Sequence, residues 1–110
     1  MATTFSNSLV SELGMTPTTV LTSASNARVT VIGLSLTNLT SSIILASINI
    51  LNNTTSDTAY YVKNIPIPPN QSLRVINGGE KLILGTNTSI IISASQDTSL
   101  DLVMSYVSIV

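Results

Sequence analysis

The chain has 110 residues, a formal charge of −1, and no cysteine, histidine or tryptophan. That length holds one domain with one core, and the missing residue types exclude disulfides, thiolate sites, the usual zinc sites and histidine-based hydrolytic triads. Only 8% of residues are charged while 44% are hydrophobic, so the polar surface must be built largely from serine, threonine and asparagine.

Residues 1 to 15 contain Phe5, Leu9, Val10 and Leu13 ahead of Gly14. The spacing of Phe5, Leu9 and Leu13 would suit a helix, but polar residues surround them and no cap is present. The preferred reading divides the chain into an extended arm over 1–14, reaching a neighbouring subunit, and a β-domain over 15–110. The competing reading makes the same residues the first strand of the domain's own sheet.

After Pro17, Thr18 to Thr22 reads as a short strand rich in β-branched residues, and Ser23 to Asn26 as a turn. Arg28 to Asn38 is the clearest strand, with Ile32, Leu34 and Leu36 on one face at period two. Gly33 inside it marks a bulge or a close backbone approach. Ile43 to Leu51 follows, with Ile44, Ala46, Ile48 and Ile50 on one face. Its other face is apolar at the ends and polar between, as expected of a central strand. Asn52 to Asp57 is a loop.

Thr58 to Lys63 is the next strand. The segment Ile65-Pro66-Ile67-Pro68-Pro69 must then be extended, because proline fixes its own φ and drives its predecessor out of the helical region. Pro69-Asn70 suits the centre of a type II turn, since asparagine tolerates positive φ. Ser72 to Ile76 and Lys81 to Leu84 flank Asn77-Gly78-Gly79, which fits a tight hairpin. Ser89 to Ser93 and Leu100 to Val110 complete the set. In the last, Leu100, Leu102, Met104 and Tyr106 alternate with Asp101, Val103, Ser105 and Val107.

Seven or eight short strands with regular turn signals and no convincing helix define an all-β fold. It is a single antiparallel β-sandwich of jelly-roll or immunoglobulin-like form. No membrane span is expected: the apolar run Ile43 to Ala46 falls far short of the roughly 20 residues a spanning helix needs. The N-terminal residues have neither the basic start nor the apolar region of a signal peptide.

The inventory for chemistry is thin. Serines are abundant and Lys63 and Lys81 are present, but nothing in the spacing brings a serine–lysine pair together. Asp97 and Asp101 lack the spacing of a calcium loop. Gly78-Gly79-Glu80-Lys81 lacks the phosphate-loop pattern and a following helix. Arg28, Lys63, Arg74 and Lys81 are scattered on a slightly acidic chain, which argues against nucleic acid. No enzyme activity, metal or cofactor is expected. With a net charge below the roughly 2 to 8 that keeps small domains apart, part of the surface is expected to lie inside an assembly.

Several phrases in fixed order carry a family resemblance. They are Thr3-Thr-Phe5, Thr30-Val-Ile-Gly-Leu-Ser-Leu36 with Asn38, Tyr60-Tyr-Val-Lys-Asn64, Ile67-Pro-Pro69 with Ser72-Leu73, Gly78-Gly-Glu-Lys-Leu82, and Ser105-Tyr-Val-Ser-Ile109. Together they resemble small virion structural proteins of tailed bacteriophages, especially phages of marine bacteria, over essentially the full length. Relatives often carry glycine where this chain has Asn70. The resemblance implies a non-enzymatic structural protein of the virion, assembled in the host bacterial cytoplasm and touching other copies of itself and other virion proteins. A capsid decoration or cement protein is the first expectation. A ring-forming neck or tail component is the second, and a receptor- or carbohydrate-binding sandwich the third. The candidate subunit-contact residues are Phe5, Leu9 and Leu13 in the arm, and Tyr61, Ile67, Pro68, Pro69 and Asn70 around the proline corner.

Overall fold

The computed structural model describes residues 2–77 and 80–110. Among them run β1 (Thr3–Leu13), β2 (Thr18–Thr22), β3 (Arg28–Asn38), β4 (Ile44–Asn52), β5 (Thr58–Ile67), β6 (Ser72–Ile76), β7 (Leu82–Leu84), β8 (Thr88–Ala94) and β9 (Leu100–Ile109). One sheet has the order β1-β9-β3-β6, with β7 also on β3, and the other has the order β2-β8-β4-β5. All pairings are antiparallel, so the all-β sandwich expected from the sequence is what forms.

The strand order has a simple origin. β4 pairs with β5, β3 with β6 and β7, β2 with β8, and β1 with β9. The chain is thus one long antiparallel ribbon, paired from its middle outward to its ends and rolled so that alternate pairs fall in opposite sheets. This is the jelly-roll arrangement, the first of the two topologies considered. It needs eight strands, and here β6 and β7 are two halves of one. Both run antiparallel to β3, β6 beside Leu34 to Thr37 and β7 beside Val29 to Val31. The expected tight hairpin at Asn77-Gly78-Gly79 is therefore corrected: Gly78 and Gly79 lie outside the described residues, but β6 and β7 are collinear and cannot be hairpin partners.

The core is aliphatic and lies between the sheets. Ile44, Ala46 and Ile48 of β4 are buried, facing Leu34, Leu36, Leu102 and Met104 from the opposite sheet's inner face. β4 lies between β8 and β5, as its sequence suggested. In β3 the inner face changes phase. Two residues, Ile32 and Gly33, occupy the step between Val31↔Tyr106 and Gly33↔Ser105, so one residue is inserted. The bulge moves Val29 and Val31 onto the core face with Leu34 and Leu36, while Ile32 is displaced to partial exposure. The sequence reading placed Ile32 in the core and Val31 opposite. Gly33 marks the bulge, as one of its two readings held, and a Cβ there would meet nothing nearer than the Ile76 carbonyl oxygen at 3.9 Å.

The 1–14 arm is corrected in the same way. Residues 3–13 pair with β9 from Thr3↔Ile109 onward, so they are the edge strand of the domain's own sheet. Its polarity is inverted, which explains the misreading: Ser6 and Ser8 sit opposite the inward Tyr106 and Met104, while Phe5 and Leu9 sit opposite the outward Val107 and Val103. Gly14 follows because the chain passes close to the β8–β9 connection. A Cβ on Gly14 would lie 2.7 Å from Asp97 Oδ1 and 2.9 Å from Asp97 Cα.

β5 is longer than expected and runs through Pro66 to Ile67. A bulge at Asn64 (φ 51°) absorbs an extra residue opposite Ser47, whose hydroxyl accepts the Asn64 N–H at 3.0 Å. Proline is tolerated because β5 is an edge strand, paired on one side only.

Candidate interaction surface

The eight residues singled out from the sequence separate into four places. Leu13 and Ile67 are core residues, 3% and 0% exposed, and are withdrawn as subunit contacts. Each closes a strand end where the two sheets meet. Pro68, Pro69 and Asn70 form the turn that follows Ile67. The Gln71 N–H donates to the Pro68 carbonyl at 3.3 Å, and Asn70 has φ 55°, the left-handed value its turn position requires. Tyr61 lies on β5, its hydroxyl donating to Glu80 Oε2 at 2.9 Å. Burial, with the Glu80 hydrogen bond and charge adding to it, pushes that phenol above its ordinary range.

Phe5 and Leu9 are the two that share a surface. Antiparallel partners put their side chains on one face, and the register carries that face across the sheet. One row reads Phe5–Val107–Thr30–Ile83, and another reads Leu9–Val103–Ser35–Arg74. Phe5 is 76% exposed, Ile83 70%, Leu9 68% and Val103 49%. The outward face of the β1-β9-β3 sheet therefore carries exposed apolar side chains in two rows, separated by the polar row Asn7–Ser105–Gly33, with Ile109 at its margin. Val103, Val107 and Ile83 were not singled out from the sequence. The signal was present in β9, whose second face alternates at period two and is half apolar. Without the strand order, nothing said that this face lies on the outside.

The opposite sheet's outer face is more mixed. Ile43 and Leu45 are exposed, and Tyr60 carries the Lys63 ammonium 5.1 Å above its ring.

Pockets for small molecules are shallow. One cleft, of about 410 Å³, is lined by Val10 to Gly14, Thr16, Thr18, Asp97 and Thr98. Asp97, in this lining, helps to hold the fold, its Oδ1 accepting the Met15 N–H at 2.9 Å, and nearby Asp101 Oδ1 accepts the Glu12 N–H at 3.0 Å. Among the described residues no group of three or more Asp and Glu side chains could hold a metal ion, and every buried side-chain nitrogen or oxygen has a hydrogen-bond partner. No helix among the described residues is long and apolar enough to cross a membrane.

The phrases on which the resemblance rests now have structural places. Asn38 is 1% exposed, and its amide N–H groups donate to the carbonyls of Ser42 (2.7 Å), Ile67 (3.0 Å) and Pro68 (3.2 Å). Its Oδ1 accepts from the Thr40 N–H and hydroxyl, both at 2.8 Å. Asn38 and Ile67-Pro-Pro69 are thus two sides of one junction. No family model, curated protein or solved structure matches the chain.

Proposed function

We propose that the chain is a structural protein of a tailed-bacteriophage virion, acting as a capsid decoration protein through subunit–subunit contacts rather than through chemistry. The observation that carries this reading is the apolar outward face formed by Phe5, Leu9, Val103, Val107 and Ile83 on a chain with 8% charged residues. Exposed apolar rows of this kind on a small, weakly charged domain mark a surface that another molecule covers. The full-length resemblance supplies the setting. The jelly roll accords with it, being common in capsid and lectin domains, though a fold alone does not assign a role.

The test is to detect the protein in purified particles and count it against the major capsid protein. A copy number comparable to the capsid protein supports decoration. A number matching the connector or tail proteins assigns it to a neck or tail ring, and absence from the particle overturns the reading. Leu9→Lys with Val103→Lys should abolish incorporation while leaving the purified domain folded.

A further inference from the structure

A sandwich of two open sheets has four edges, and proteins usually guard such edges with short strands, charge, proline or bulges. Three of the four are guarded here. β5 carries Lys63, Pro66 and the Asn64 bulge. β2 is five residues long and irregular between Thr19 and Leu21. The β6–β7 edge is split and bears Arg74, Glu80 and Lys81. β1 is the exception. It has 11 residues, keeps an unbroken register with β9 from Thr3 to Val10, and has no charged residue or proline before Glu12.

The free hydrogen-bonding groups of β1 can be assigned. Ala2 and Val110 exchange both backbone bonds, at 3.1 and 2.9 Å. Antiparallel pairs alternate between bonded and non-bonded, so Thr4, Ser6, Ser8 and Val10 direct their backbone groups to β9. Thr3, Phe5, Asn7 and Leu9 direct theirs outward, where no strand of the described residues meets them.

We propose that β1 pairs antiparallel with β1 of a second copy of this chain, about a two-fold axis at Asn7. That register uses the outward set as its bonded pairs and places Phe5 opposite the partner's Leu9, Asn7 opposite the partner's Asn7, and Leu9 opposite the partner's Phe5. Shifted so that the axis falls at Ser6, the strand would set Phe5 against Asn7 and Leu9 against Thr3, losing the apolar match. No like charges meet in the chosen register. Because the axis is perpendicular to the sheet, the outward faces of the two copies stay on one side. The row Val107–Phe5 then continues into the partner's Leu9–Val103, so that an apolar row crosses the junction on each side of the Asn7 pair. Glu12, at φ 58°, ends the regular run and limits the pairing to this segment. The contact is isologous and closes at two copies. It does not depend on the virion reading.

The experiment is sedimentation of the purified full chain, with variants. The expected result is a species of twice the 11.5 kDa chain mass. Asn7→Pro should return it to the monomer mass with its β-type circular dichroism intact, since the Asn7 N–H faces outward and serves no bond to β9. Phe5→Lys with Leu9→Lys should do the same without touching the backbone. Asn7→Cys, in a chain otherwise free of cysteine, should oxidise to a covalent dimer, because bonded antiparallel pairs have Cα atoms about 5.5 Å apart, within disulfide reach. Gln96→Cys, on a distant connection, should not. A monomeric wild-type chain overturns the proposal, as does a dimer that persists in both the Asn7→Pro and double-lysine variants. A monomer whose Asn7→Pro variant nevertheless fails to enter particles also overturns it, and assigns the edge to a strand from a different protein.

Discussion

Asn38 fastens the connection after β3 to the one after β5, and both depend on its side chain. Its amide is buried and spends its donors on three carbonyls and its oxygen on Thr40. Asn38→Ala would remove these bonds, and among them the one to the Ile67 carbonyl is fully buried; a buried group left unsatisfied costs about 1–3 kcal/mol. The variant is expected to lose about that much in denaturant melts. Asn70→Gly, by contrast, should be nearly neutral, because glycine adopts the same positive φ freely. Tyr61 offers a test by pH. Its phenol is held above the ordinary 10.0 by burial first and Glu80 second. A raised value means that the folded chain holds the proton more tightly than the unfolded one. The associated stability is fully present below the unfolded value and lost as pH rises through the folded one. Ultraviolet titration should show Tyr61 ionising above the ordinary phenol range, and Glu80→Gln should bring it partly back.

At the scale of elements, period-two patterning explains most of what forms. Where it was clean, in β4 and β9, the sequence located the strand and the two sets of side chains that share a face. In β4, Ile48→Ala should cost about 2–5 kcal/mol as a core truncation, whereas Ile83→Ala, on the outer face of β7, should change stability by no more than about 0.5 kcal/mol. Equal losses at both sites in urea unfolding would contradict the assignment of inner and outer faces. The misreadings also have physical causes. In β3 the bulge at Ile32–Gly33 reverses the phase midway, and Gly33 signals a bulge without saying which residues change face. In β1 Phe5 and Leu9 point outward while Ser6 and Ser8 sit on the inward side, so burial over that segment could not be inferred from hydropathy. In β6 and β7 the glycine-containing turn grammar matched a hairpin, while the pairing was decided by β3, far away in the chain. The interaction surface was half legible for the same reason. Phe5 and Leu9 could be named from their isolation among polar residues, but their neighbours Val103, Val107 and Ile83 come from distant strands that only the sheet order assembles.

For the whole molecule, the rolled ribbon sets which contacts are local and which are not. The β4–β5 pair is closed by a short loop, whereas β1 and β9 come from opposite ends of the chain, with Ala2 and Val110 bonded to each other. A circular permutant that links those two residues through a short glycine-serine segment and opens between Thr55 and Ser56 should keep the fold. The new ends fall in an exposed loop, and the new link spans two residues already in contact. A melting temperature within a few degrees of the parent's, read by circular dichroism, is the expected result. A permutant without β structure would show that the β4–β5 connection is needed to start the roll.

The position of β9 has a consequence for how the protein is made. It leaves the ribosome after β1 to β8, yet it lies second in its sheet, between β1 and β3. Until Leu100–Ile109 emerges, β1 has neither of its edges satisfied and Met104, Leu102 and Leu100 are missing from the core. A nascent chain stalled after β8 therefore displays a partnerless strand, uncharged up to Glu12, beside an unfinished hydrophobic layer. That is the form most exposed to proteases and to premature association. Assembly through the outward face is thereby coupled to the synthesis of β9, because the rows Phe5–Val107 and Leu9–Val103 do not exist until that strand takes its place.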